Sequence, residues 1–119
     1  MGILDWFRRT KVPQVTVQEA YKRLCSDENV IIVDVRQPGE TRSGIAPGAV
    51  LIPLSEFGKR LHELPVDQPV LTICQSSHRS PFAARKLANA GYEVTNVSGG
   101  MAAWYHAGLP VEKPSRGKQ

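Results

Sequence analysis

Residues 69–80 read Pro69-Val70-Leu71-Thr72-Ile73-Cys74-Gln75-Ser76-Ser77-His78-Arg79-Ser80. The opening run is apolar and rich in β-branched residues, the composition of a strand buried on both faces, as in a parallel sheet. From Ser80 the pattern changes to a helix that sets Ala83, Ala84, Leu87 and Ala88 on one face and stops at Gly91. Strand, short polar loop and helix follow one another with no spacer.

The rest of the chain repeats this alternation. Further strands are expected at residues 29–35 (NVIIVDV), 49–52 and 92–97. Thr16 followed by Glu19 is a capping box that opens a helix through Tyr21, Leu24 and Cys25. Gln37-Pro38-Gly39 breaks the chain after the first strand. Ser55 is expected to cap a helix containing Phe57, Leu61 and Leu64, and Gly99-Gly100 turns into a last helix over residues 101–106. The spacing predicts an α/β domain with a mainly parallel sheet flanked by helices on both faces. Such sheets hold ligands at the carboxyl ends of their strands, where Cys74 falls.

The chain has 119 residues, 41% hydrophobic and 22% charged, which fits one folded domain and excludes a disordered or collagen-like chain. A net charge of +4 suits small anionic partners without selecting one. The basic residues are scattered, with no helix face interleaved with aromatics, so no nucleic-acid contact is expected. The two cysteines lie far apart, and the three histidines show no ligand spacing. No metal and no organic cofactor are therefore expected. Free thiols, short apolar runs and the lack of a leader pattern lead to a cytoplasmic expectation.

Residues 1–12 combine Ile3, Leu4, Trp6 and Phe7 with Arg8, Arg9 and Lys11. This fits a short amphipathic arm that touches a membrane surface or a protein, or that lies on its own domain. Residues 13–112 form the expected domain, and 113–119 a polar tail.

Cys74 is the candidate nucleophile. Four residues separate it from Arg79, and a loop so short before a helix N-terminus aims several amides at one point. Helix termini and cations lower a cysteine pKa from ~8.5 into the range ~3.5–7.5. The competing reading is an inert thiol at a strand end, around which a polar loop with an arginine would be wasted. Cys25, beside Leu24 on an amphipathic helix, reads as a small core residue, with a Cys25–Cys74 pair as the alternative.

Between Val15 and Val111 the chain resembles the rhodanese (sulfurtransferase) domain. The matching pieces are Val33-Asp34-Val35-Arg36-Gln37-Pro38-Gly39-Glu40, Ala46-Pro47-Gly48-Ala49, Ile52-Pro53-Leu54, the Cys74–Ser80 loop, Ala90-Gly91-Tyr92, Gly99-Gly100-Met101-x-Ala103-Trp104 and Ala107 to Val111. The resemblance implies that Cys74 accepts sulfur as a persulfide from a small anionic donor such as thiosulfate, or from another persulfide, and passes it to a thiol, a protein thiol or cyanide. It implies a substrate cradle made by Gln75, Ser76, Ser77, His78 and Arg79 with the amide of Ser80. Arg79 either braces the loop or touches substrate. Asp34, Arg36 and Ser80 support the site.

The chain departs from the family where Gln75, Ser76 and Ser77 replace the usual Arg-Ser-Gly, where Ile45 stands in place of a histidine, and at Thr41 in place of an aromatic. Loss of the loop arginine weakens the case for thiosulfate, and His78 is the residue able to restore charge. Two other functions share these features: an interaction or sulfur-relay module without turnover, and a cysteine-dependent phosphatase or arsenate reductase. The loops of the latter are one residue longer.

Overall fold

The computed structural model describes residues 11–114. The expected N-terminal arm and the end of the tail fall mostly outside these residues.

Five parallel strands form one sheet in the order β1-β5-β4-β2-β3. They are β1 (Gln14–Val15), β2 (Ile31–Asp34), β3 (Val50–Leu51), β4 (Val70–Ile73) and β5 (Val94–Val97). The helices are α1 (Val17–Ser26), α2 (Leu54–Arg60), α3 (Ser80–Asn89) and α4 (Gly100–His106). Alternate residues of the central strands face opposite layers, as a strand requires. Ile32, Leu71, Ile73 and Val97 pack with Val17, Ala20, Met101 and Trp104 of α1 and α4. Val33, Val70 and Val94 pack with Phe57, Ala83, Ala84 and Leu87 of α2 and α3. The two-faced α/β sandwich expected from the sequence is present.

The differences are local. β1 has only two residues, too few to show a period, and is held by Asn96 N–H donating to Pro13 and Ser98 N–H donating to Val15. The helix after β3 has Pro53 at its N-cap. Ser55 lies inside the first turn, exposed, and accepts a hydrogen bond from Gln37 instead of capping. That helix tightens into a 3₁₀ turn at Leu61–Glu63. Residues Pro38–Thr41 also form a 3₁₀ turn, where the sequence showed only a break. The Thr16–Glu19 capping box is formed in both directions.

Cys25 is exposed, contrary to its expected place in the core. The buried stripe of α1 runs through Val17 and Ala20, with Tyr21 and Leu24 partly covered, and Cys25 falls on its flank. It lines an open cavity of about 410 Å³ with Val30 and Ile31, at the amino end of β2. Cys74 follows the carboxyl end of β4, at the opposite end of the sheet, and four strand residues span roughly 13 Å at about 3.3 Å per residue. A bridge needs Cα atoms within about 7 Å, so the pair does not meet, and both thiols are free.

The chain leaves β2 to one side for β3 and then crosses back to β4 on the other side. This switch point opens a crevice at the carboxyl ends of β2 and β4. Asp34 is in register with Ile73, so the residues after each, Val35-Arg36 and Cys74-Gln75, start side by side. α4 closes the third side. Gly99 and Gly100 both have positive φ, +83° and +61°, and a Cβ on Gly100 would lie 2.5 Å from the Cys74 carbonyl oxygen. Glycine is therefore required for α4 to approach the Cys74 loop.

Gly100→Ala should lose the ~1–2 kcal/mol of a left-handed alanine plus the cost of moving backbone. Gly108→Ala, at φ +70° with no heavy atom within 4 Å, should lose only the first part. Urea midpoints for the two variants measure the difference, and equal losses would contradict the close approach.

Candidate active site

Cys74 is fully buried, at the N-terminus of α3 and in the apolar cluster that includes Val33, Val35 and Ala83. α3 begins after Arg79, whose side chain makes no capping bond, so its first amides are free to face the loop. Burial raises the thiol pKa. Hydrogen bonds from the Ser80 hydroxyl and from the amides of Ser80, Arg79 and Ser76 outweigh it, and the net shift is downward. Ser80 Oγ is itself buried and has no hydrogen-bond partner of full geometry. The thiolate thus takes the place of an N-cap.

The amides point this way because the carbonyls are held from behind. Met101 N–H donates to the Cys74 carbonyl at 2.7 Å and Ala102 N–H to the Gln75 carbonyl at 2.9 Å. A trans peptide sets C=O and N–H on opposite sides. Anchoring the Gln75 carbonyl on α4 therefore turns the Ser76 N–H away from α4, toward the sulfur. Ser77 adds a second tie. It sits at φ +68°, left-handed for a non-glycine residue. Its hydroxyl donates to the Val97 carbonyl at 3.2 Å and accepts from Gly99 N–H at 2.7 Å. These bonds offset a conformational cost of ~1–2 kcal/mol and explain how serine stands where the family usually has glycine.

Arg36 is fully buried and joins three loops. Its Nε and Nη2 bond to the Asp34 carboxylate at 2.8–3.1 Å. Nη2 also donates to the Gly44 carbonyl, and Nη1 donates to the Glu40 carbonyl, to Gln75 Oε1 and to the Tyr105 hydroxyl. Burial would lower its pKa, but the bonds and charge of Asp34 hold it above the ordinary value. Asp34 and Arg36 are thus supports of the loop, as expected. The Gln75 side chain turns inward to Arg36.

Arg79 braces the loop. Both of its Nη atoms donate to Glu40, at 2.7 and 2.6 Å. The Arg79 hydrogen bond leads the causes that bring the Glu40 carboxyl down to about 2. His78 is exposed on the rim, with Nδ1 2.8 Å from Ser76 Oγ. The candidate residues therefore converge, but with different tasks: amides and the Ser80 hydroxyl on sulfur, side chains on one another.

Sequence reading gave no task to Glu40, Tyr105 or the first amides of α4. Glu40 was legible as a lone acid next to Gly39 in the matching segment. Tyr105, whose hydroxyl donates to the Gly44 carbonyl at 2.6 Å, carries no signal apart from its place on α4. Among the described residues no group of His, Cys, Asp and Glu is placed to hold a metal, and no helix is long and apolar enough to cross a membrane.

A cysteine in an amide cradle, at the switch point of a parallel sheet, is the class of site that the fold defines. The chain belongs to the rhodanese-like domain family, whose model matches residues 16–107. It is 36% identical over 104 residues to a sulfurtransferase of Allochromatium vinosum, covering 87% of this chain and 97% of that one. It is 29% identical to a putative sulfurtransferase, YtwF, of Bacillus subtilis over 79% of this chain and 91% of that one. The crystal structure of a rhodanese-related protein from Thermoplasma volcanium superposes with a TM-score of 0.79 at 26% identity, over 86% and 99% of the two chains. These relatives support sulfur transfer as the general chemistry.

The Arg79–Glu40 pair makes stability depend on acid. Glu40 titrates near 2 in the folded chain and near ~4.3 when unfolded. Its contribution is complete above the unfolded value and is lost as pH falls toward 2. The two side chains are 33% and 35% exposed, so screening keeps it small. Glu40→Gln should therefore be less stable than the native chain at pH 7, with the gap closing by pH ~2. Denaturant midpoints at both pH values check this; a gap that persists in acid would contradict it.

Proposed function

We propose that the protein is a sulfurtransferase in which Cys74 carries the sulfur as a persulfide. The observation that supports this best is the place of Cys74, after the carboxyl end of β4 and just before the N-terminus of α3, in a loop whose carbonyls at Cys74 and Gln75 are held by α4; the downward shift of its thiol agrees with it. In the first step the Cys74 thiolate attacks the outer sulfur of the donor, the donor's S–S bond breaks, and its electron pair leaves with sulfite or a thiolate. The amides that held the thiolate then face the new terminal sulfur, where negative charge collects. In the second step an acceptor thiolate, or cyanide in vitro, attacks that terminal sulfur and Cys74 leaves as a thiolate. This is covalent catalysis by a single nucleophile and requires no cofactor.

The short loop favours a terminal sulfur over a phosphate group, since a bulkier anion needs a wider ring of amides. Aryl phosphate hydrolysis is the matching control. Intact mass measurement after exposure to thiosulfate or to a low-mass persulfide should show one added sulfur on the native chain and none on Cys74→Ser. Cys25→Ser should keep most of both loading and transfer. Full loading of Cys74→Ser would overturn the assignment, and a matching loss in Cys25→Ser would overturn the choice of cysteine.

A further inference from the structure

The loop's one guanidinium belongs to Arg79, and it lies within the field of Cys74, whose ionisation helps to raise the Arg79 pKa after the larger effect of Glu40. Both of its Nη atoms are nevertheless committed to the Glu40 carboxylate, in a two-pronged bond that leaves little for a substrate. Arg36, the other guanidinium beside the loop, is fully buried and faces Asp34, with its remaining donors on Glu40, Gly44, Gln75 and Tyr105. Arg79 and Arg36 are therefore each paired with a carboxylate, Glu40 and Asp34. With Cys74 ionised, these five groups together carry a net negative charge.

Resting on the sulfur-transfer reading of Cys74, we propose that Glu40 is a selectivity residue. By withholding Arg79 from the mouth, it turns the site against dianionic thiosulfate and toward a persulfide, R–S–SH. The reacting –S–SH group itself brings one negative charge at most, whereas both charges of thiosulfate lie on the reacting anion. Its transfer balances without a co-reactant: Sγ of Cys74 bonds to the outer sulfur, the R–S bond to that sulfur breaks, and R–S⁻ leaves with the electron pair while the proton stays on the transferred sulfur. The thiosulfate route must bring two negative charges to the thiolate and release sulfite past the same mouth. An extra unit charge a few ångströms from an unbalanced thiolate changes a rate by about tenfold or more. The same persulfide chemistry is offered by a low-mass thiol and by a protein.

The test is the rate of single-turnover sulfur loading, followed by intact mass, with thiosulfate, glutathione persulfide and persulfidated serum albumin as donors. The native chain should load from a persulfide about tenfold faster than from thiosulfate, or more. Faster loading by glutathione persulfide assigns the low-mass source, and faster loading by albumin the protein source. Glu40→Gln frees Arg79, and Ser76→Lys adds a cation while leaving the Arg79–Glu40 pair in place. Each should raise the thiosulfate-to-persulfide rate ratio by about tenfold. That ratio is taken within one protein sample, so partial unfolding of a variant does not affect it. Thiosulfate loading as fast as persulfide loading in the native chain, or a ratio unmoved in both variants, would overturn the selectivity. Loading by no donor would instead overturn the sulfur-transfer reading itself.

Discussion

Holding a negative sulfur inside a protein, out of reach of bulk water, is the constraint around which this structure is arranged. Burial disfavours the anion. Cys74 is nevertheless pushed toward it, because donors that cannot be satisfied within α3 are turned onto the sulfur. Amides do this well: they are fixed by the backbone and need no reorganisation when charge moves outward onto a transferred atom. The arrangement works only if the loop's peptide planes cannot flip. α4 sees to that from behind, by donating Met101 and Ala102 amides to the Cys74 and Gln75 carbonyls.

The second device is the Asp34–Arg36 pair. A buried ion pair of this kind adds little net stability, since desolvation offsets most of the attraction. Its value here is geometric. Arg36 reaches the carbonyls of Glu40 and Gly44, the Gln75 amide and the Tyr105 hydroxyl, and so fixes the loop after β2, the Cys74 loop and α4 relative to one another. Removing one partner would leave an unpaired charge at 0% exposure, a loss of about 3–5 kcal/mol. Outside this pair, Arg79 and Glu40 lock the rim. Together the two ion pairs tie the Cys74 loop to the segment after β2 and engage the guanidinium groups of Arg36 and Arg79.

Much of this was legible from residues 69–80 and their surroundings. The apolar run before Cys74 and the alanine face after Ser80 place Cys74 at the carboxyl end of a buried strand, and the sheet has it there. The four-residue gap to Arg79 implies a short loop running straight into a helix, and α3 starts at Ser80. What the sequence does not carry are contacts made across elements. Whether Arg79 faces substrate or a carboxylate depends on the 3₁₀ turn at Pro38–Thr41, which Gln37-Pro38-Gly39 announces only as a break. The closeness of α4 rests on Gly100, which reads locally as an ordinary turn. Cys25 was misplaced because one residue of rotation, about 100° on a helix, separates the buried stripe of α1 from its exposed flank.

The most direct measurement is the ionisation of Cys74 itself, followed by thiolate ultraviolet absorbance across pH in protein carrying Cys25→Ser, so that one thiol remains. An amide-held sulfur should be half ionised below the ~8.5 of an ordinary cysteine, and Ser80→Ala, which removes the leading hydrogen bond, should move that point upward. A midpoint at or above the ordinary value, unmoved by Ser80→Ala, would contradict the account.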